Sequence, residues 1–415
     1  MSPGTTTIGS YPVFPSLEDV EYYQKMVDKG LGDEVVDPFL WSIEESVDDF
    51  AAAGVEMLST GQTRGDLFSL FLDPKLVKGI NWDGPRALVT GRLSRTSSLR
   101  LQDVKFARSV APGQLSLKEP ITDAYTLARF AKISTGHYKD TRELARDLNR
   151  KVVIPELEDL QTSGAVDMVQ LDSPNIASES ATPEYVRGLY EEVASASKLP
   201  IALHACGDTT RLFRFLTSLR VDALLLDFYH YPRLLEEASR RNFDQSIGVG
   251  VTDAQSPRIE GVDEIASLIR RVTKALGEQR VGWVHPHCGQ RSLHRLTAFE
   301  KNANMTMARD DVFFGEAEEP RTHRPSRERA KVMKRVLIGV KKETGEIVVT
   351  FYGRQGQVAR RYRSKFADSL LQAVQDNSES LGLSKTQLAH LILELGRAAA
   401  SLQPQPSTYR QRLTT

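Results

Sequence analysis

Cysteine is scarce in this sequence, and long apolar runs are absent. The 415 residues include only Cys206 and Cys288. Two cysteines would suggest one disulfide in a secreted chain, whereas thiols in a cytosolic chain of this size more often bind metal, react or lie buried. No apolar run approaches the ~20 residues of a membrane-spanning helix, and the N-terminal MSPGTTTIGSYP lacks the basic and apolar regions of a signal peptide. We therefore expect a cytoplasmic protein without a membrane partner.

An excess of either charge is also lacking. The 54 basic residues balance the 54 acidic residues, so there is no electrostatic reason to expect nucleic acid or an anionic membrane as a partner. The apolar and charged fractions are ordinary for a globular protein. The length allows one large domain with a small one, or two domains of medium size.

Short apolar runs alternate with longer amphipathic stretches along most of the chain. Continuous apolar runs of this length are typical of buried parallel strands, and repeated strand–helix units predict an α/β fold, a (β/α)8 barrel. Amphipathic helices are expected at 182–197, with Thr182 as N-cap, and at 262–277, closed by Gly277. The nine candidate strands, one more than a barrel needs, are 5–11, 55–60, 86–91, 114–119, 166–172, 199–205, 223–228, 246–253 and 281–288, and 86–91 is the one we place outside the wall.

The composition changes after about residue 315. A charged, proline-containing connector at 316–329 precedes a predicted hairpin at 336–353 that turns at Thr344 and Gly345. A third strand at 357–363 and two helices, at 364–377 and 384–402, are expected to follow. We therefore predict a catalytic barrel over 1–330 and a small α+β module over 331–415, whose role the sequence leaves open.

Polar side chains follow almost every predicted strand. Active sites of such barrels lie at the carboxyl ends of the strands, so these side chains are the candidate site residues, and both cysteines are among them. The set comprises Ser10, Gln62, Glu119, Asp172, His204, Cys206, Asp227, Asp253, Gln255, His287 and Cys288.

His204 and Cys206 point to the same side of an extended segment, because they are two residues apart. Cys288 follows another strand and Asp227 ends a third, so one imidazole, two thiolates and a carboxylate predict a tetrahedral zinc site. The ordinary alternative is that two buried cysteines and a hydrogen-bonded histidine merely lie near strand ends. His285 and His287 flank Cys288, where they would support the ligands, carry a proton or simply line the mouth.

Two further motifs suit an amino-acid substrate. Asp172, in QLDSP, is a lone carboxylate after a strongly apolar strand and would bind an ammonium group; an N-cap or an arginine partner is the ordinary alternative. Gly9 and Ser10, in TIGSYP, offer backbone N–H groups and a hydroxyl to a carboxylate.

Together these motifs resemble the catalytic barrel of the cobalamin-independent methionine synthase family, in its short, single-barrel form without the N-terminal folate-binding barrel. The resemblance covers about residues 1–310. The matching segments are TTTIGSYP (5–12), TGQTRGDLFSLF (60–71), LDSP (171–174), HAC (204–206), LLLD (224–227), TDAQSP (252–257) and HPHCGQRSL (285–293).

The resemblance implies zinc as cofactor and homocysteine as substrate. His204, Cys206 and Cys288 match the zinc ligands of the family, and Asp227 matches a glutamate ligand shortened by one methylene. The segment that holds the homocysteine carboxylate corresponds to Ile8, Gly9 and Ser10, and Asp172 matches the aspartate that binds the amino group.

Two departures bear on the reaction. Gln62 stands where many members have a glutamate near the amino group, and Gln255 stands where the family has a proton-donating histidine. We therefore consider His285 or His287 as the substitute acid, and count His287, Asp253 and Gln255 as the candidate catalytic residues. The short form also implies a methylated corrinoid protein or methylcobalamin, rather than methylfolate, as methyl donor.

Two other functions are compatible with the sequence. HACGDT (204–209) also resembles the H-x-C-G segment of uroporphyrinogen decarboxylase-like methylcobamide:thiol methyltransferases, whose acceptor is another small thiol. Gln62 and Gln255 would also suit a barrel without catalysis that binds zinc or docks a corrinoid protein.

Overall fold

A computed structural model describes residues 2–32, 35, 37–113, 115–177 and 184–315, together with the backbone of three strands between 335 and 364. The chain divides into two compact units, Met1–Glu319 and Pro320–Thr415. The domain boundary predicted at residue 330 stays a prediction, because 316–334 lie outside the described residues.

The first unit contains eleven described strands. Eight of them form one sheet in which every pair of neighbours is parallel. In chain order the strands are β1 (Gly4–Thr5), β2 (Met57–Leu58), β3 (Val77–Asp83), β4 (Arg86–Arg95), β5 (Ser116–Thr122), β6 (Lys132–Ile133), β7 (Met168–Asp172), β8 (Ile201–Ala205), β9 (Ala223–Asp227), β10 (Ser246–Thr252) and β11 (Val281–Pro286).

The eight-stranded sheet curls into the predicted (β/α)8 barrel. Its order is β1-β11-β10-β9-β8-β7-β5-β2, and a single parallel bridge between Thr6 and Met57 joins the two end strands. The walls are made of short strands such as ALLLD and IALHA, in which every residue is buried, as expected for parallel strands covered by helices. The strand at β5 continues to Thr122, so Glu119 lies within it rather than at its end.

Helices surround this barrel. The predicted helix at 262–277 is confirmed, since α11 runs over Val262–Leu276 and Gly277 follows with φ +89°; of the other predicted helix, α8 covers Tyr185–Ala196, and Thr182 lies outside the described residues. No helix among the described residues is long and apolar enough to cross a membrane. The helices are α1 (Leu17–Asp28), α2 (Pro38–Ala52), α3 (Leu101–Val110), α4 (Ala124–Phe130), α5 (Thr141–Leu148), α6 (Ile154–Ser163), α7 (Pro174–Ala177), α8 (Tyr185–Ala196), α9 (Phe213–Leu216), α10 (Pro232–Ser239), α11 (Val262–Leu276) and α12 (Arg295–Phe314).

A small sheet stands apart from the barrel wall. β3 and β4 pair as an antiparallel hairpin, and β6 joins β4 in parallel. The run at 86–91 therefore lies outside the wall, as predicted. β3 and β6 were not predicted, because β3 mixes exposed and buried residues and β6 has only two residues.

In the second unit the described backbone forms a three-stranded antiparallel sheet. Its strands are β12 (Arg335–Lys341), β13 (Glu346–Tyr352) and β14 (Val358–Ser364), with β13 in the centre. The predicted turn at Thr344 and Gly345 and both predicted helices lie outside the described residues.

Candidate active site

The three predicted nitrogen and sulfur ligands meet at one end of the barrel. Nε2 of His204 lies 2.8 Å from Sγ of Cys206, which lies 2.6 Å from Sγ of Cys288. The three ligand atoms are all within 4.8 Å of one another, and we call these residues the sulfur group. His204 is in β8, Cys206 follows that strand and Cys288 follows β11. β11 is three strands from β8 in the barrel wall, and the carboxyl ends of both strands open on the same mouth.

Strand pairing orients the imidazole of His204. The register of β8 and β9 places His204 opposite Leu225, and Nδ1 donates to the backbone carbonyl of Leu225 at 3.1 Å. That bond fixes the tautomer that leaves the Nε2 lone pair facing the two thiols. Histidine ligands of metals usually have such a second hydrogen bond, so the orientation fits a metal site.

The two thiols differ in their affinity for a proton. The hydrogen bond from Cys206, together with His204, holds the pKa of Cys288 well below its usual range, whereas the same hydrogen bond raises the pKa of Cys206 well above it. Of the two thiols, Cys288 is therefore the one that loses its proton more readily.

The donor set fits zinc. One nitrogen and two sulfur atoms are donors that zinc prefers. From Zn–S near 2.3 Å and Zn–N near 2.0 Å, donor atoms of a tetrahedral site lie roughly 3.5–3.8 Å apart. The sulfur group would need to widen by about 1 Å to hold the ion, and the half-buried Cys206 and Cys288 follow the strands rather than lying within them.

Asp227 belongs to a second group, with His230 and His287, which we call the imidazole group. Oδ1 of Asp227 accepts from the backbone N–H of His230 at 3.0 Å, and its Oδ2 accepts from Nδ1 of His230 at 2.8 Å. Nε2 of His230 lies 3.4 Å from Oδ2 of Asp253. The structure therefore pairs Asp227 with His230 rather than grouping it with the sulfur atoms, and its role as a fourth zinc ligand stays a prediction.

His230 was missed by sequence reasoning. It is three residues past the end of β9, within the aromatic run DFYHYP. Its aromatic neighbours made this run resemble part of the core rather than part of a site. Burial lowers its pKa, but the hydrogen bond and charge of Asp227, with Asp253 on the other side, outweigh this and raise it. The signal that would have found it is the i, i+3 spacing from Asp227, which brings a side chain back to the strand end.

Of the three predicted catalytic residues, His287 belongs to this second group and Asp253 lies beside it. The ring of His287 is 4.6 Å from that of His230 between centroids, and its Nδ1 lies 2.9 Å from the backbone nitrogen of Ala254 and 3.1 Å from the carbonyl oxygen of Thr252. Asp253 accepts from the backbone N–H of Gln255 at 2.8 Å. The side chain of Gln255 is exposed.

His285 lies deeper, inside the barrel. It is fully buried, and burial lowers its pKa to about 3. Its Nδ1 donates to the carbonyl of Pro286 at 2.7 Å, and its Nε2 has no hydrogen-bond partner among the described residues. His285 is therefore a neutral imidazole below the sulfur group, not a member of it.

Gly9, Gln62 and Asp172 border one small space. A Cβ atom at Gly9 would lie 3.1 Å from Oε1 of Gln62 and 3.9 Å from Oδ2 of Asp172. Gly9 itself has φ +52°, a conformation that favours glycine. Burial raises the pKa of Asp172 to about 6, although His204 and a hydrogen bond from Gln170 oppose the rise.

Gln62 has two unusual properties. It is the one non-glycine residue of the described chain with a positive φ, +45°. Its Nε2 is buried and has no hydrogen-bond partner among the described residues. A strained backbone and an unsatisfied buried donor are costly, and both are concentrated at functional sites.

Ser10 and Ile8 complete the predicted substrate segment. A Cβ atom at Gly289 would lie 3.1 Å from Oγ of Ser10, so the hydroxyl is next to the residue after Cys288. Ile8 is buried and packs with Met57 inside the barrel. Of the segment 8–10, Gly9 and Ser10 therefore border the mouth, while the Ile8 side chain lies in the core.

Comparison with known proteins connects this arrangement to a family. Residues 3–310 match the model of the cobalamin-independent synthase catalytic domain. Curated proteins named methionine synthase match over 73% of this chain and 98% of their own length, at 30% identity in Methanothermobacter marburgensis and 28% in Methanothermobacter thermautotrophicus.

A solved structure gives the same fold. The B12-independent methionine synthase of Shewanella sp. W3-18-1, in complex with selenomethionine, has a TM-score of 0.60 at 18% identity and covers 75% of this chain and 98% of its own.

Proposed function

Because this chain belongs to the cobalamin-independent methionine synthase family and is a methyltransferase of that type, we propose that it transfers a methyl group to the thiol of homocysteine to give methionine, with zinc held by the sulfur group. The observation that carries the zinc assignment is the convergence of His204 Nε2, Cys206 Sγ and Cys288 Sγ within 4.8 Å. The cytoplasmic location stays a prediction.

The sulfur group would hold the ion through three ligands and keep a fourth position for the thiol. A free thiol has a pKa near ~8.5 and is a poor nucleophile at neutral pH; zinc, when bound, stabilises its thiolate form. The hydrogen bond to Leu225 keeps the His204 ring in place while the ligand at the fourth position changes.

The amino-acid part of the substrate has a place beside Gly9. Oε1 of Gln62 and Oδ2 of Asp172 both face this glycine, and two oxygen acceptors suit an ammonium group. The unpartnered Nε2 of Gln62 and the hydroxyl of Ser10 are donors suited to the carboxylate. The pKa of about 6 at Asp172 keeps that carboxyl mostly ionised at neutral pH.

For the methyl donor we propose a methylcorrinoid, as a corrinoid protein or methylcobalamin. Methylfolate leaves as an amine that needs a proton, whereas a corrinoid is a better leaving group without one. Gln255 has no acidic proton to give, and Nδ1 of His287 already contacts the backbone N–H of Ala254 and the carbonyl of Thr252, so we infer a donor that does not depend on an acid. His287 Nε2 is the atom we assign to any proton transfer that is required.

A matrix of donors against acceptors tests the proposal. Methylcobalamin and methyltetrahydrofolate are each incubated with homocysteine or coenzyme M, and methylated thiol is measured with the zinc-loaded protein. We expect methionine from methylcobalamin and homocysteine. Transfer to coenzyme M alone would instead favour the uroporphyrinogen decarboxylase-like activity, efficient transfer from methyltetrahydrofolate would refute the donor, and no transfer to any thiol would favour a binding protein.

A further inference from the structure

A lysine and a glutamine form a polar chain inside the barrel, beneath Asp172. Lys118 in β5 and Gln170 in β7 are both fully buried. Nζ of Lys118 donates to Oε1 of Gln170 at 2.5 Å, and Nε2 of Gln170 donates to Oδ1 of Asp172 at 2.6 Å. The three side chains therefore form one directed line of hydrogen bonds that ends at the candidate substrate site.

Lys118 determines which way round the amide of Gln170 lies. An ammonium group donates hydrogen bonds and accepts none, so it selects the oxygen of the amide. The amide must then present its N–H to Asp172. The carboxylate of Asp172 favours the same orientation, since a flipped amide would place its oxygen against it, so Lys118 reinforces the orientation from the other end of the amide.

The same line of hydrogen bonds gives the two carboxylate oxygens of Asp172 different surroundings. Oδ1 is occupied by Gln170, while Oδ2 faces Gly9 and Gln62. The carboxylate plane is thereby fixed with one oxygen free toward the substrate space. The charges of Lys118 and Asp172 also interact. Burial lowers the pKa of Lys118 to about 7, and the negative charge of Asp172 opposes that shift.

Burying a lysine in a barrel core is costly unless it is paired. An apolar residue of similar volume would fill the same place at lower cost, as apolar side chains do in most barrel layers. The polar line is therefore poorly explained by stability alone. Sequence reasoning overlooked Lys118 and Gln170, although each is a polar residue in the middle of a predicted apolar strand.

We propose that Lys118 and Gln170 are positioning residues that orient Asp172 to accept the α-ammonium group of an amino-acid thiol, and so select such thiols over thiols without an amino group. The inference rests on the proposed function, because it takes homocysteine as the substrate. It adds the element that determines specificity: an internal lysine acting through an amide on the residue that contacts the substrate.

The test compares ligands that differ only by the amino group. Methionine and 4-(methylthio)butanoate are titrated calorimetrically against the zinc-loaded full chain, and kcat/KM is measured for homocysteine and 4-sulfanylbutanoate. In Lys118→Met and in Gln170→Met we expect the preference for the amino-acid ligand to fall about 10-fold, the order expected for a hydrogen bond to a charged group. Zinc content and the constants for the des-amino ligands should change little.

Gln245→Met is the matched control. Gln245 also uses its side-chain amide to bond the carbonyls of Thr217 and Leu219, away from the mouth, so its loss should leave the preference unchanged. If Lys118→Met does not fold, Gln170→Met still tests the proposal, because it breaks the same line of hydrogen bonds to Asp172.

Three outcomes are distinct. A reduced preference in both variants supports the inference. An unchanged preference, or an equal loss for both ligand types, overturns it and assigns Lys118 and Gln170 to stability. A wild-type protein that shows no preference for methionine over its des-amino analogue overturns the proposed homocysteine site, and the inference with it.

Discussion

Two groups of possible metal ligands lie side by side at the barrel mouth, and they differ in what their atoms already bind. In the sulfur group, the imidazole and both thiols face one another, and only Nδ1 of His204 is used elsewhere. In the imidazole group, both oxygens of Asp227 bind His230, and Nδ1 of His287 accepts from a backbone N–H.

The comparison supports the proposal that the sulfur group holds an ion while the imidazole group is held together by hydrogen bonds. An imidazole nitrogen has a single site for a proton, an acceptor contact or a metal, so a ring nitrogen already engaged in a hydrogen bond must give that bond up to bind an ion. The sulfur group loses only contacts among its own members when an ion enters. The imidazole group would lose the bonds that hold His230 in place, so we assign it no ion.

The largest expected effect is on metal content. Cys288→Ser should reduce bound zinc from about one ion per chain to near zero, because a hydroxyl replaces the thiolate ligand. His287→Gln, at the neighbouring position, should keep the ion. Metal analysis of both purified variants checks this, and a fully loaded, active Cys288→Ser protein would remove the basis of the zinc site.

Removing the metal should abolish methyl transfer without changing the fold. After treatment with a chelator, we expect activity to return with zinc and not with magnesium, since nitrogen and sulfur ligands favour zinc. Circular dichroism of the metal-free protein provides the control. Recovery with magnesium would contradict the assignment of the catalytic ion to nitrogen and sulfur ligands.

A smaller effect distinguishes the two roles of Asp227. If the carboxylate also reaches the ion, Asp227→Asn should weaken zinc affinity by about 10–100-fold, as loss of supporting groups at metal sites does, while His230→Gln leaves affinity nearly unchanged. Competition with a chromophoric chelator measures both. Equal affinities in the two variants would show that Asp227 serves only to hold His230.

The smallest effect should come from Asp253→Asn. Asp253 is 3.4 Å from Nε2 of His230 and partly exposed, and partly exposed ion pairs contribute roughly 0–1 kcal/mol. His230 keeps its bonds to Asp227, so we expect a change of unfolding free energy below about 1 kcal/mol and full zinc content. Chemical denaturation measures the difference in unfolding free energy. A loss of zinc in this variant would show that the sulfur group and the imidazole group form one metal site.

The sequence allowed the barrel and the sulfur group to be predicted because both follow from local patterns. Apolar runs such as ALLLD mark strands regardless of their neighbours, and the i, i+2 spacing of His204 and Cys206 already places both on one side. The carboxyl ends of parallel strands then bring Cys288 to the same mouth.

Other features depend on contacts between distant segments. β1 and β2 are two residues long, although runs of six or seven residues predicted them, because the chain turns at Gly9 and at Gly61–Gln62 toward the site. The partner of Asp227 depends on the loop after β9, and the orientation of Gln170 depends on a lysine of another strand. None of these contacts has a periodic signature.

The seam between β1 and β2 is joined by the bridge between Thr6 and Met57 and by hydrogen bonds on either side of it, such as Glu56 N–H to the Thr5 carbonyl and Tyr11 N–H to the Gly61 carbonyl. The proposed substrate segment at Gly9 and Ser10 continues from one side of that seam, and Gln62 continues from the other. An amino acid held by both would tie the two edges together, so part of its binding free energy would reappear as resistance of the barrel to opening. Bound substrate would thus act as one more link between the first and second strands of the barrel.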